Sequence, residues 1–257
     1  SGKGKVVVLI DEYDKPILNN IADKKKAGEI RDILRDFYGI LKAQDANLRF
    51  VFLTGVSRFS KVSVFSGINH LSDISMVKDY GTLLGYTQSE LENFFQGWIQ
   101  RTADELDMRA GQFLKKTKTW YNGYKFHPES EKVYNPFSCL KLFENREFSN
   151  WWFETGTPSF LIKLIQEKQL EPPGLECRQV GRKAFSLFDV EQADVVPLLL
   201  QTGYLTIRDY EDELYTLDYP NLEVRKSFLT SLAEVFSHQP GGDLEAFIIR
   251  MLKALKK

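Results

Sequence analysis

Three acidic residues follow the first hydrophobic stretch of the sequence, in the segment KVVVLIDEYDKPI at residues 5–17. Five apolar residues run directly into Asp11 and Glu12, and Asp14 comes two residues later. Because a strand interior cannot hold unpaired carboxylates, these acids must lie where the strand ends. Asp14 is expected to orient Lys15 or the backbone of the loop.

An apolar strand followed by Asp-Glu is the Walker B pattern of nucleotide hydrolases. In that chemistry Asp11 would help to hold Mg²⁺, which prefers oxygen ligands in an octahedral shell. Glu12 would polarise the attacking water. Neighbouring strand residues point to opposite faces, which suits two separate tasks. In the structural alternative, the acids cap the following helix or bind a nearby arginine.

A second apolar run, LRFVFLTG at 48–55, is followed by polar residues that could complete a nucleotide site. Thr54 and Ser57 lie where a polar side chain can sense the γ-phosphate of ATP. Arg58 lies nearby, and an arginine there can stabilise phosphate charge. The alternative for Arg58 is a salt bridge to Asp11 or Asp14.

These polar residues must be positioned by a strand–helix–strand unit. Residues 6–10 and 50–54 are short, continuous apolar runs typical of buried strands. Residues 28–43 between them have helical periodicity, carried by Ile30, Ile33, Leu34, Phe37, Ile40 and Leu41. The pattern predicts an α/β fold with a parallel sheet. Ligands of such sheets bind beyond the carboxyl ends of the strands.

The remainder of the chain is expected to form a helical region and a winged-helix-like domain. Thr87 and Glu90 have capping-box spacing, the NPFS segment at 135–138 predicts a helix start, and Gly123 predicts a helix stop. Two apolar segments around YEDE at 210–213 predict a hairpin, with helices from about residue 222.

We predict three regions: residues 1–102 as the later part of an ATPase core, 103–175 as the helical region, and 176–257 as the winged-helix-like domain. The EPPGLE segment at 171–176 is the predicted linker between the last two.

Composition limits the function classes. The net charge of −1 argues against a protein that coats nucleic acid. No apolar run approaches the roughly 18 residues of a membrane helix, and no signal peptide is recognised. Cys139 and Cys177 lack metal-site spacing, so they are predicted to be reduced and buried, in a cytoplasmic protein. The three histidines are scattered and form no predicted metal site.

The glycine-rich phosphate loop of nucleotide hydrolases, GxxxxGK[ST], is absent from the sequence. The SGKGK segment at residues 1–5 precedes a strand instead of following one, and no Ser or Thr follows its lysine. We therefore expect the chain to begin in the middle of a domain. The preceding part should hold the phosphate loop and about two strands.

Several long motifs together resemble the AAA-ATPase-like family of bacterial proteins. They are VVVLIDEYDKPIL, LRFVFLTGVSRFSKVSVFSGINHLSDIS, LGYTQSELENFF, WYNGYKF, VYNPFS, WWFETGTPSFLI and LLLQTGYLTI. The resemblance extends from residue 5 to about 235 and implies a P-loop ATPase core. By that resemblance Asp11 is the metal aspartate and Glu12 the catalytic glutamate, with Mg²⁺ and ATP as cofactor and substrate.

The sequence departs from this family at both ends. The phosphate loop is missing, and so is the PD-(D/E)XK nuclease-like domain that members often carry at the C-terminus. The chain alone is therefore expected to bind ATP and Mg²⁺ weakly, to hydrolyse ATP poorly and not to cut DNA.

The alternative hypothesis is a non-catalytic interaction module, with a protein partner bound through residues 176–257. DNA binding is not expected, because Asp189, Glu191 and Asp194 would make the first helix of this region acidic. Unpaired sheet edges favour pairing with another chain. That chain is expected to be either a second copy, which would give a homo-oligomer, or a separately expressed N-terminal piece.

Overall fold

The computed structural model describes residues 4–20, 23–56, 71–154, 161, 165, 175–185 and 195–237, and these form a mixed α/β structure. The helices in the described residues are α1 (Lys15–Leu18), α2 (Lys24–Ala43), α3 (Gln88–Phe94), α4 (Gln96–Glu105), α5 (Ala110–Tyr121), α6 (Pro136–Asn145), α7 (Trp151–Glu154), α8 (Val195–Gln201) and α9 (Leu222–Ser237). The strands are β1 (Val6–Ile10), β2 (Leu48–Leu53), β3 (Asn122–Tyr124), β4 (Val133–Tyr134), β5 (Arg178–Gly181), β6 (Thr206–Glu211) and β7 (Leu214–Asp218).

The chain divides into two compact units, residues 1–73 with 182–202 and residues 74–181 with 203–257. The first unit contains the predicted strand–helix–strand segment. Strands β1 and β2 pair in parallel, with Leu9 opposite Phe52 and Ile10 opposite Leu53, so the predicted parallel pairing is confirmed. Helix α2 begins after Asp23, whose side chain accepts a hydrogen bond from the Lys26 amide at 3.1 Å.

The second unit has a dense apolar core between helices α3, α4, α5 and α6. Its fully or nearly fully buried members are Leu91, Ile99, Ala103, Phe113, Tyr121, Tyr134, Cys139, Leu142 and Phe143. The predicted caps hold two of these helices in place. Thr87 and Glu90 form the reciprocal capping box of α3, and the Asn135 side chain accepts a hydrogen bond from the Ser138 amide at the start of α6.

The predicted hairpin is confirmed as β6 and β7, which are antiparallel. Strand β5 adds to it, so that the described strand order is β5-β7-β6. This third strand was not predicted because its sequence, RQVG, offers a single large apolar residue. The three acids expected to oppose DNA binding lie outside the described residues; they are Asp189, Glu191 and Asp194.

A buried carboxylate joins three helices of the second unit. Glu223, in the first turn of α9, is fully buried. It accepts hydrogen bonds from the Ser138 hydroxyl at 2.8 Å and from the Trp152 amide at 2.7 Å. Since a buried charge is costly unless it is hydrogen-bonded, these contacts fix α6 and α7 against the start of α9.

The two cysteines differ in environment. Cys139 is buried, as predicted, and burial raises the pKa of its thiol. The prediction of burial is wrong for Cys177, which is exposed in the turn before β5. Its backbone has a φ of 52°, and a guanidinium nitrogen of Arg208 lies 2.8 Å from its Sγ. None of the described helices is long and apolar enough to cross a membrane.

Gly123 gives a stability test of the second unit. It is the second residue after α5 and lies in β3. Its φ is +135°, and a Cβ built there would lie 1.8 Å from the Pro220 carbonyl oxygen. Strain at such a φ costs about 1–3 kcal/mol before the clash is counted. We expect Gly123→Ala to lower the urea midpoint of unfolding strongly.

Gly111 is the matched control for this substitution. It lies on the exposed side of α5, and no atom lies within 4 Å of its built Cβ. Gly111→Ala should leave stability unchanged or raise it by about 0.5–1 kcal/mol, because alanine is the better helix former. Equal midpoints for the two variants would contradict the predicted clash.

Candidate functional site

The candidate site lies where β1 and β2 end. Because the strands are parallel, their carboxyl ends meet at the same edge of the sheet. Asp11 directly follows β1, and Thr54 directly follows β2. The Thr54 amide donates to the Ile10 carbonyl at 2.8 Å, and the Tyr13 amide donates to the Thr54 carbonyl at 2.9 Å. The chain therefore continues the strand pairing past the last strand residues.

Asp11 and Thr54 are in direct contact through their side chains. The Thr54 hydroxyl donates a hydrogen bond to Asp11 Oδ1. The same oxygen accepts the Glu12 amide at 3.0 Å. Both bonds hold the Asp11 carboxylate at the strand exit, on the exposed side of the sheet edge. Two residues that are 43 positions apart in sequence thus share one polar cluster.

Glu12 takes a different direction from Asp11. Its φ of 49° is unusual for a residue with a side chain. Its Oε2 lies 2.6 Å from the Lys15 ammonium, and both side chains are exposed. The hydrogen bond from Lys15 to Glu12, and then the negative charge of Glu12, raise the pKa of Lys15. An exposed pair of this kind adds little stability, so the contact orients Glu12 more than it stabilises the fold.

The sign of this pKa shift fixes its pH dependence. Because the pKa of Lys15 is raised, its contact with Glu12 contributes to folding stability. That contribution is fully present below the ordinary lysine pKa of 10.5 and is lost as the pH rises through the pKa of Lys15 in the folded state. The Lys15–Glu12 contact is therefore formed across the neutral range.

Asp14 links the segment that follows β1 to the segment that follows β2. It is fully buried, and its Oδ1 accepts the Val56 amide at 3.1 Å. Gly55 lies against the same group, so that a Cβ built there would be 2.8 Å from Asp14 Oδ1. Desolvation, and then the charge of Asp14, raise the pKa of Tyr38. This supports the prediction that Asp14 orients loop backbone, with Val56 as the residue it orients.

The structure brings together three of the five predicted site residues, Asp11, Glu12 and Thr54. Ser57 and Arg58 lie outside the described residues. Sequence reasoning did not find the Lys15–Glu12 pair, although a lysine three positions after an acid is a local signal for it. It also did not find the packing of Gly55, since no sequence signal shows which side chain a glycine must admit.

The donor atoms at this edge suit Mg²⁺. Asp11 offers a carboxylate and Thr54 a hydroxyl, and Mg²⁺ is usually bound by one or two carboxylates together with substrate phosphates and water. Within the described part of the chain, no group of three or more His, Cys, Asp or Glu side chains is arranged to hold a metal ion. A site that relies on phosphate oxygens does not require such a group.

Comparison with known proteins identifies two similarities. Residues 1–65 match the model of the AAA-ATPase-like family, described as predicted AAA-ATPase. The chain is also 43% identical over 244 residues to a protein of Azotobacter chroococcum mcd 1, named "Uncharacterized protein in vnfD 5'region". This match covers 93% of the chain and 45% of the relative, so the chain spans about half the length of that protein. No solved structure matches the chain.

Gly55 gives a test of the contacts at the strand exits. A Cβ there would lie 2.5 Å from the Tyr13 ring and close to Asp14. We expect Gly55→Ala to displace these groups, to lower stability by about 1–3 kcal/mol, and to speed hydrogen exchange of the Val56 amide.

Gly39→Ala is the control within the same unit, because no atom lies within 4 Å of a Cβ built at Gly39 on α2. It should leave the Val56 exchange rate unchanged. The predicted packing would be disproved by a Gly55→Ala variant whose Val56 amide exchanges as slowly as that of the control.

Proposed function

We propose that this chain is part of a Mg²⁺-dependent ATPase, because residues 1–65 belong to the AAA-ATPase-like family. The observation that carries the proposal is the Asp11–Thr54 hydrogen bond at the exits of two parallel strands. It joins a carboxylate and a hydroxyl at the edge where α/β sheets bind ligands. The proposal also includes that the sheet is of the P-loop type, with β2 as its sensor strand.

Each residue has a distinct role in the proposed reaction. Glu12 orients the attacking water and accepts its proton. The water oxygen forms a bond to the γ-phosphorus while the bond from that phosphorus to the bridging oxygen of ADP breaks. The Thr54 hydroxyl, which donates to Asp11 Oδ1 in the structure, is proposed to redirect that hydrogen bond to the γ-phosphate when nucleotide binds. Ser57 and Arg58 are proposed to contact the same phosphate. Lys15 positions the Glu12 carboxylate through their 2.6 Å contact.

Asp11 would hold Mg²⁺ through its carboxylate, alone or through water. The cation, when bound, would neutralise charge on the phosphate oxygens. The Glu12 amide and the Thr54 hydroxyl both donate to Asp11 Oδ1, and they orient the carboxylate toward the sheet edge.

The 257 residues alone are proposed to be a poor ATPase. The sequence contains no GxxxxGK[ST] loop to bind the phosphates, and the contacts described above supply only one wall of a nucleotide site. We propose that the complete protein carries the missing wall. The three regions predicted from the sequence, with a winged-helix-like domain at 176–257, belong to the same proposal.

A second candidate function is a non-catalytic module that binds a protein partner through the β6–β7 hairpin. Tyr210 and Leu214 are exposed there. The Tyr210 and Tyr215 rings lie 4.5 Å apart, and tyrosine is enriched at protein interfaces. This candidate predicts no nucleotide binding by the complete protein, and loss of the partner when residues 176–257 are deleted.

Glu12→Gln tests the ATPase proposal in the complete protein encoded by the gene. We expect kcat for ATP hydrolysis to fall by about 10²–10⁴-fold, because the general base is removed. Nucleotide binding, measured by calorimetry with ATP and Mg²⁺, should be retained, so that the variant traps bound ATP.

Glu29→Gln is the control, because it makes the same change at an exposed carboxylate on α2. It should turn over ATP like the parent protein. Normal turnover by Glu12→Gln would overturn the role of Glu12. Absence of ATP binding by the complete protein would overturn the proposed function and favour the interaction module.

A further inference from the structure

We propose that the second unit binds an internal water molecule where helices α6 and α9 begin. The water accepts a hydrogen bond from the side-chain amide of Asn221 and bonds to the hydroxyl of Tyr124. The proposal rests on buried polar groups and their surroundings, and it does not depend on nucleotide chemistry.

Two buried polar groups at this place have no hydrogen-bond partner in the described part of the chain. Tyr124, the last residue of β3, is 8% exposed, and Asn221, the residue before α9, is also 8% exposed. Tyr124 Oη and Asn221 Nδ2 make no hydrogen bond to the residues that the structure describes. Buried polar groups of native proteins are nearly always paired, either with protein atoms or with ordered water. We therefore expect a ligand that hydrogen-bonds both groups.

The orientation of the Asn221 amide is fixed by the helix that follows it. Asn221 Oδ1 accepts the Val224 amide at 3.0 Å, so this asparagine caps α9. Asn135 has the same role at α6, where its Oδ1 accepts the Ser138 amide at 3.3 Å. In both asparagines the capping bond uses the oxygen, and the amino group, which carries two donor hydrogens, points away from the capped amide.

The two helix starts and β3 meet at one place in the second unit. The Ser138 hydroxyl donates to the buried Glu223 carboxylate at 2.8 Å, which joins the first turn of α6 to the first turn of α9. A Cβ built at Gly123 would lie 1.8 Å from the Pro220 carbonyl oxygen, so β3 passes directly beside the segment before α9. The residues that follow Gly123 and Pro220 are therefore neighbours.

The ionisation of Tyr124 depends on the same surrounding groups. Burial has the largest effect and raises the pKa of the Tyr124 hydroxyl, while the Asn135 side chain lowers that pKa. The charge of Glu223 raises the pKa further, and the Asn221 side chain lowers it. These three side chains therefore lie near the hydroxyl, although it bonds directly to none of them. Polar groups that are close without being in direct contact are commonly bridged by water.

The chemistry of the site favours water over an ion. The buried Glu223 carboxylate would repel an anion. A cation needs oxygen ligands, whereas the Asn221 amino group presents donor hydrogens. Water both donates and accepts, and an internal water typically makes about three hydrogen bonds to buried polar groups. Its own hydrogens can bond to the Tyr124 oxygen and to the Glu223 carboxylate, since a carboxylate has about four lone-pair sites.

Tyr124→Phe tests the water by the direction of its effect on stability. The substitution removes the hydroxyl and keeps the ring. If the hydroxyl binds water, its loss should shift the urea midpoint of unfolding to lower concentration, because the water and its other partners lose a hydrogen bond. Removal of a buried hydroxyl that has no ligand should instead raise the midpoint, and a raised midpoint would overturn the proposal.

Tyr210→Phe is the matched control, since it makes the same change in the same unit at a residue that is 45% exposed. It should leave the urea midpoint unchanged. An equal decrease in both variants would show that the effect of Tyr124→Phe does not come from a buried ligand, and would count against the water.

Asn221→Ser tests whether the two groups share one ligand. Serine caps a helix about as well as asparagine, but it lacks the amino group. Combined with Tyr124→Phe, this substitution should lower the midpoint by less than the sum of the two single effects, because both remove bonds to the same water. Additive effects would overturn a shared ligand.

A high-resolution crystal structure of the unsubstituted protein tests the proposal directly. It should show a water oxygen within about 2.7–3.2 Å of both Asn221 Nδ2 and Tyr124 Oη. A direct hydrogen bond between these two side chains would overturn the proposal, as would a side chain from residues 155–174 in the place of the water. Either result would do so even if Tyr124→Phe lowers the midpoint.

Discussion

The parallel pairing of β1 and β2 is the constraint on which the candidate site depends. It is extended beyond the strands by the Thr54 amide, which donates to the Ile10 carbonyl, and by the Tyr13 amide, which donates to the Thr54 carbonyl. Without these bonds the two strand exits would be free to separate, and Asp11 would not meet the Thr54 hydroxyl. The polar cluster is thus a product of backbone pairing between segments about 40 residues apart.

Local signals in the sequence predicted the elements that position this cluster. A continuous apolar run predicted β1, and side-chain caps predicted the starts of α3 at Thr87 and of α6 at Asn135. Such signals act within a few residues, so they survive whatever the rest of the chain does. Periodicity likewise predicted the apolar side of α2. It could not predict that this side is exposed, because the exposure of a helix face depends on contacts with residues far away in sequence.

The candidate site was predicted only in part, because some of its features follow from local sequence patterns and others depend on backbone conformation. The order of apolar strand, Asp11 and Glu12 is a linear pattern, and Thr54 followed from the second strand. The direction of Glu12 depends on its φ of 49°, which sequence does not specify for a residue other than glycine. Cys177 shows the same limit, because its exposure is set by the turn that precedes β5.

The exposure of the sheet to water and the strength of electrostatic interactions at the candidate site are physically linked. Glu12 and Lys15 are both exposed, and charges in contact with water act weakly on one another because of the high dielectric constant. Preorganised groups act strongly on a reacting phosphate where water is excluded. The unit that carries the polar cluster is also the one whose apolar faces, at Leu9 and Phe37, are open to solvent. An element that covers those faces would lower the dielectric around the strand exits as well as stabilise the sheet.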